Sequence, residues 1–311
     1  TAIIKPSEMT PHSSALMKKI VQSVFSEDEV ALVEGEVQSS TDLLKLPFNH
    51  IFFTGSPVVG KIVMKAAAEH LASITLELGG KSPLIIFDDA DLENAVSGAI
   101  LANFYSTGQI CSNGTRVFVQ RKIQDAFLER LVERLGQAVI GDPQDETTNF
   151  GPMISQRQMD IVLEYFEKAK NEGARLITGG NPIAGDGFFI EPTVFADVTD
   201  DMTIACEEVF GPLMSVLTFD DEKEVITRAN ATEFGLAAGV FTKDLSRGHR
   251  MVDALDAGTC FINSYNDAPV EVPFGGVKMS GVGRENSKAA ITHYSQLKSV
   301  FVRMDDMESP F

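Results

Sequence analysis

The 311 residues contain no tryptophan and only three cysteines, Cys111, Cys206 and Cys260. Three thiols cannot all pair with one another, their spacing matches no metal motif, and so small a stock is expected of a reducing, cytoplasmic setting. Histidine is equally thin. His12, His50, His70, His249 and His293 lie far apart along the chain and outline no zinc cluster. Positive charge is outweighed, 26 Lys and Arg against 44 Asp and Glu, and the formal net charge of −18 leaves no basic surface for the phosphates of a nucleic acid. No apolar run reaches the ~18 residues of a membrane-spanning helix. Neither nucleic acid nor membrane is therefore expected as a partner.

Core-forming material is present in ordinary measure: 44% hydrophobic with 23% charged residues suits a soluble globular protein, and the length allows about two domains. Short apolar runs alternate with amphipathic patterns. Ala2-Ile3-Ile4 is followed by Leu16, Ile20, Val21 and Val24 at helical spacing; Val30–Val33 and Ile51–Phe53 precede a helix from Ile62 to His70. Pro83–Phe87 precedes a helix opened by Asp91, and Arg116–Val119 precedes a helix over Ile123–Val139. The alternation predicts an α/β fold with a largely parallel, doubly wound sheet, in which ligands sit at the carboxyl ends of the strands. The chain opens on Thr1 with a strand under way, as expected of a piece lacking its N-terminal part.

Three stretches carry candidate chemistry. Phe104-Tyr-Ser-Thr-Gly-Gln-Ile-Cys111-Ser-Asn-Gly-Thr-Arg116 sets a cysteine among small, polar and turn-forming residues, whereas a cysteine that only fills a core more usually sits in an apolar run. Leu76-Glu77-Leu-Gly79-Gly80-Lys81 puts a carboxylate beside two glycines. Thr54-Gly55-Ser56-Pro-Val-Val-Gly60-Lys61 is a glycine turn opening a helix, where free N–H groups and the helix dipole favour phosphate. Taken singly, each has a plainer account: a small residue near a strand edge, a charged turn, an ordinary helix start. Glu207-Glu208 is by itself equally a solvated acidic pair.

Taken together, the Glu77 and Cys111 stretches resemble the aldehyde dehydrogenase family. The resemblance implies that Cys111 is the nucleophile and Glu77 the general base. It also implies that the turn of Lys5, Ser7 and Glu8 meets the adenine ribose of NAD, that Gly55, Ser56 and Gly60 lie against the pyrophosphate, and that Gly79 borders the coenzyme. In Cys206-Glu207-Glu208-Val-Phe210-Gly-Pro, Glu208 would hold the nicotinamide ribose and Phe210 would lie against the nicotinamide. A carboxylate at Glu8 accepts from a free 2′-hydroxyl and repels a 2′-phosphate, which favours NAD over NADP. Val272-Pro-Phe-Gly-Gly-Val-Lys278-Met-Ser-Gly281-Val-Gly-Arg-Glu285-Asn286 is a further family signature. Glu285 would belong to a lysine and glutamate charge relay, and carbonyl oxygens at Leu71, Lys278 and Gly281 would hold a monovalent cation, K+. Leu297–Val302 resembles the strand that extends a neighbouring subunit's sheet, so a homo-oligomer, dimer or tetramer, is expected. The implied division is 1–78 for the coenzyme domain, 79–280 for an α/β catalytic domain, and 281–311 for a return helix and oligomerisation strand.

Gly108–Arg116, Ala238–Phe241 and Gly281–Asn286 are most like the members that act on betaine aldehyde and aminoaldehydes. Such a site would cradle an ammonium with aromatic faces, for which Phe274 and Tyr105 are the candidates and tryptophan is wanting. The implied reaction is attack of the Cys111 thiolate on the aldehyde, hydride loss to the coenzyme, and hydrolysis of the thioester by a water that Glu77 deprotonates. One oxyanion donor is the Cys111 N–H; the family's second, an asparagine, would precede Lys5, so the chain alone is expected to be poorly active. A cofactor-free cysteine esterase and a relative without turnover remain as alternatives.

Overall fold

A computed structural model describes residues 1–311. Ala2–Ile4 (β1) leads through Pro11–Val24 (α1) to its parallel partner Val30–Leu32 (β2). After Val37–Leu43 (α2), His50–Thr54 (β3), Pro57–Glu69 (α3) and Ser73–Glu77 (β4) form a parallel β–α–β unit, as expected of strands joined through a crossover helix.

The larger sheet begins at Pro83–Ile86 (β5). Leu92–Phe104 (α4), Arg116–Gln120 (β6), Gln124–Leu135 (α5), Gln156–Asn171 (α6), Arg175–Thr178 (β7) and Thr193–Ala196 (β8) follow. Next come Thr203–Cys206 (α7), Leu213–Phe219 (β9), Glu222–Asn230 (α8), Ala237–Phe241 (β10), Leu245–Ala254 (α9) and Thr259–Ile262 (β11). The seven strands lie in the order β11-β10-β5-β6-β9-β8-β7, parallel throughout except for β7 against β8. Strand alternation sorts the core into two layers. Leu84, Ile86, Val117, Val119 and Val216 face α4 and α5; Ile85, Phe118, Leu217 and Val240 face α6, α8 and α9. Because both faces are covered, these strands read as continuous apolar runs.

Gly281–Val282 (β12) then leaves the large sheet and pairs antiparallel with β4, setting Gly281 opposite Glu77. Its φ of +148° and its closeness to the Leu76 carbonyl leave no room for a side chain at Gly281. No helix is long and apolar enough to cross a membrane.

Three expectations differ from what is observed. The helix over Ile123–Val139 stops at Leu135, where Gly136 follows. The return helix is a 3₁₀ turn, Lys288–His293, pinned to β3 by the rings of His293 and Tyr294 against His50. Residues 297–302 form no strand and are exposed, because a strand needs a paired edge and the single chain brings none alongside. Helix α1 forms as expected, but Leu16, Ile20 and Val24 face outwards.

Candidate active site

Three segments that are remote in sequence meet at the Gly79–Gly80 turn. Strand β4 ends in Glu77 just before it, buried at 5% exposure beside Gly281. The loop between α4 and β6 brings Cys111 against it. A Cβ at Gly80 would stand 2.6 Å from the Cys111 carbonyl, and one at Gly79 would overlap the Glu208 carboxylate, so only glycine lets the chains approach this closely. The third segment, ahead of β9, brings Glu208, whose Oε1 accepts the Gly80 N–H at 3.2 Å.

The cysteine loop is strained and held from outside. Ser106, Thr107 and Gly108 are successively left-handed, with φ of 50°, 56° and 74°. Thr107 Oγ1 donates to the Gly151 carbonyl (3.0 Å), and Gln109 Oε1 accepts the Ile154 N–H (3.0 Å). Beyond the sulfur, Tyr265 donates its hydroxyl to the Ser112 carbonyl (2.9 Å), Ser112 Oγ donates to Asn266 Oδ1 (2.8 Å), and Asn103 Nδ2 donates to the Gly114 carbonyl (3.2 Å). These contacts fix where the thiol points.

Burial dominates the electrostatics. It pushes the Cys111 thiol up to about 11, with the charges of Glu208 and Glu77 acting in the same direction and the N–H groups of Ser112 and Cys111 opposing. It pushes Glu77 up to about 8, reinforced by Glu285 and opposed by Arg284. Both Glu77 oxygens are buried without a hydrogen-bond partner. A carboxylate left unsatisfied in the interior is costly, and such groups mark sites where a water or substrate is to be met. Glu208 is raised to about 7, again by burial, with the Gly80 N–H and Lys81 opposing.

The other expected site residues lie on separate segments of the chain. Lys5 Nζ and Glu8 Oε2 pair with each other at 3.2 Å on the turn after β1, and Ser7 Oγ accepts the Met9 N–H. Gly55 donates its N–H to the Glu77 carbonyl (3.1 Å), Ser56 caps α3 by accepting the Val59 N–H, and Gly60 packs that helix onto Leu78. Phe210 is 38% exposed at φ +53°, held by Gln158 Nε2, which donates to the carbonyls of Val209 and Phe210. Glu285 exchanges backbone hydrogen bonds with Phe274, and its own carboxyl is raised by burial.

The proposed cation ligands are not gathered. Gly281 lies at the Glu77 end of β4 and Leu71 precedes the opposite end, roughly 13 Å of strand away. Lys278 Nζ is engaged with the Asn230 and Thr232 carbonyls and with Asp256. No group of His, Cys, Asp and Glu side chains suited to a metal occurs, and within one chain Leu71 stands too far along β4 from Gly281 for their carbonyls to share an ion. Tyr265, Asn266 and Gly275 are additions to the expected set. The first two act across more than 150 residues, with no local signal. A Cβ at Gly275 would stand 2.6 Å from Glu77 Oε1, a role at which the Gly275-Gly276 pair hints.

The profile described as "Aldehyde dehydrogenase family" matches residues 1–300. The betaine aldehyde dehydrogenases of Sinorhizobium fredii and Rhizobium meliloti are 58% and 57% identical to the chain over 99% of its length. The chain spans 64% of the length of these relatives. Among solved structures, the NAD+ complex of an aldehyde dehydrogenase from Bacillus cereus superposes with a TM-score of 0.94 at 43% identity, covering 97% of this chain and 62% of that one. An NAD-dependent aldehyde dehydrogenase from Sinorhizobium meliloti gives a TM-score of 0.97 at 38% identity, covering 100% and 63%.

Proposed function

The chain belongs to the aldehyde dehydrogenase family, and from that premise we propose that it carries the catalytic centre of an NAD-dependent enzyme oxidising betaine aldehyde to glycine betaine. The observation that supports this most directly is the unpartnered Glu77 carboxylate, which precedes the same Gly79–Gly80 turn that Cys111 packs against. A thiol and a base at one turn suit acyl chemistry on sulfur followed by hydrolysis. The names of the similar proteins support the choice of aldehyde.

The residues present fit a dinucleotide. At the start of α3 the N–H groups of Ser56 and Val58 are left to meet a pyrophosphate, those of Gly55 and Val59 being taken by the Glu77 carbonyl and Ser56 Oγ. Lys5, Ser7 and Glu8 suit one ribose and Glu208 the other, and the exposed ring of Phe210 suits the nicotinamide. When bound, NAD supplies the hydride acceptor.

The protein's own part is proton and charge handling. Cys111 must lose its proton to solvent before it attacks the carbonyl, and the N–H groups of Ser112 and Cys111 favour the thiolate. The N–H of Cys111 meets the oxyanion of the tetrahedral thiohemiacetal. Once hydride has left the carbon, a thioester remains on Cys111. Glu77 then takes a proton from water, hydroxide adds to the thioester carbonyl, and the carboxylic acid departs as the sulfur is released.

In this reading 1–78 forms the coenzyme half and 79–280 the catalytic half, with Glu285 influencing Glu77 by its charge. The three free cysteines suit a reducing cytoplasm. The exposed apolar segment 297–302 is proposed to pair with a neighbouring copy; light scattering is expected to show smaller particles after its deletion, and an unchanged mass would refute the pairing. The activity is tested by incubating the purified protein that carries this chain with betaine aldehyde. NADH should form faster than NADPH does from NADP. Absence of reduction with either coenzyme would end the dehydrogenase reading, and a preference for NADP would end the role given to Glu8.

A further inference from the structure

One buried ionisable group takes no part in this chemistry. Lys81 follows the glycine turn directly, is 1% exposed, and its Nζ has no hydrogen-bond partner. An enclosed ammonium without a partner opposes folding, and an apolar side chain of the same length would remove that penalty. Its persistence calls for a use.

The groups whose charge reaches Lys81 are Arg116, Glu208, Cys206 and Glu207, and of these Glu208 is hydrogen-bonded to the N–H of Gly80, the residue just before the lysine. Most are already engaged. Arg116 donates to the carbonyls of Lys81, Arg228 and Ala229. Glu207 accepts the Tyr165 hydroxyl, and Cys206 Sγ donates to the Asp200 carbonyl. Glu208 remains, with the Gly80 N–H as its hydrogen-bond donor. We infer that Lys81 is a positioning residue whose buried ammonium keeps the Glu208 carboxylate ionised against the glycine turn, in the form that can accept hydrogen bonds from a coenzyme ribose. The inference rests on the coenzyme reading for that last clause alone.

The two groups oppose each other's neutralisation. Burial, then the charge of Arg116, draws Lys81 down to about 7, and Glu208 pulls it back up. Burial lifts Glu208 to about 7, and Lys81 pulls it down. They therefore titrate as a pair near neutrality. Without the ammonium, Glu208 would be protonated over more of the neutral range, and a protonated carboxyl accepts less well from a ribose hydroxyl.

The test is a ¹³C-carboxyl NMR titration of Glu208, assigned with Glu208→Gln, in the protein carrying this chain and in its Lys81→Met variant. The Glu208 midpoint is expected to rise by about one pH unit or more in the variant. The melting temperature should hold or increase, because no hydrogen bond of Nζ is lost. NAD affinity at pH 7, by calorimetry, should fall about fivefold, because a midpoint moved from about 7 to about 8 cuts the ionised fraction at that pH from about one half to about one eleventh. An unchanged Glu208 midpoint overturns the inference, whatever the melting temperature does; if Lys81→Met does not fold, Lys81→Gln replaces it. A raised midpoint in a protein that binds no NAD at all sustains the action of Lys81 on Glu208 and refutes the coenzyme reading instead.

Discussion

Cys111→Ala is expected to lower aldehyde oxidation by roughly 10⁴-fold or more, the scale of loss when a covalent nucleophile is removed from a hydrolytic site. Folding should be spared. The loop is held by Tyr265, Asn266, Thr107 and Asn103 rather than by the sulfur, so the variant should melt close to the parent. The parent thiol, raised to about 11 by burial and by its two carboxylate neighbours, is almost wholly protonated at neutral pH. Alkylation by iodoacetamide should therefore be slow at pH 7 and quicken as pH rises, and it should lose its pH-dependent site-specific component in the variant. Equal rates of aldehyde oxidation in variant and parent would remove Cys111 from the mechanism.

Glu77→Gln should separate the two halves of the reaction. The thioester can still form, but its hydrolysis lacks a base and should slow by about 10²- to 10⁴-fold. Rapid mixing should show a burst of NADH of one equivalent per site followed by a slow steady state; loss of the burst and the steady state in equal measure would place Glu77 in the first half. In the parent, hydrolysis should accelerate through about pH 8, since only the carboxylate above its raised pKa accepts a proton. Stability moves the other way. Between the usual carboxylate value and about 8 the folded state binds more protons at Glu77 than the unfolded state does, so stability falls as pH rises through that window. Glutamine removes the effect, and the gain in melting temperature should be greatest above pH 8.

Local signals made part of this legible. The apolar runs of β5 and β6 announce strands buried on both faces, and Asp91 announces α4, which it caps by accepting the Asn94 N–H. The Cys111 and Glu77 stretches stand out because glycine and polar residues surround a reactive group. Strand β4 itself is hidden: Ser73-Ile-Thr-Leu-Glu77 offers only two apolar residues, and its extended form depends on β3 and β12 on either side. Tyr265 and Asn266 are invisible for a related reason, since their hydrogen bonds reach the cysteine loop only after the large sheet has folded. The outward face of α1 shows that helical spacing of apolar residues secures a helix without securing what covers it.

The late return of β12 has a mechanical consequence. The Leu78 N–H donates to the Ser280 carbonyl at 2.9 Å, and Gly281 lies opposite Glu77. The last tenth of the polypeptide is thus fastened to the strand that ends in the general base. A pull on the C-terminal tail would reach that carboxylate along a short tether, so whatever grips the tail also grips the active centre.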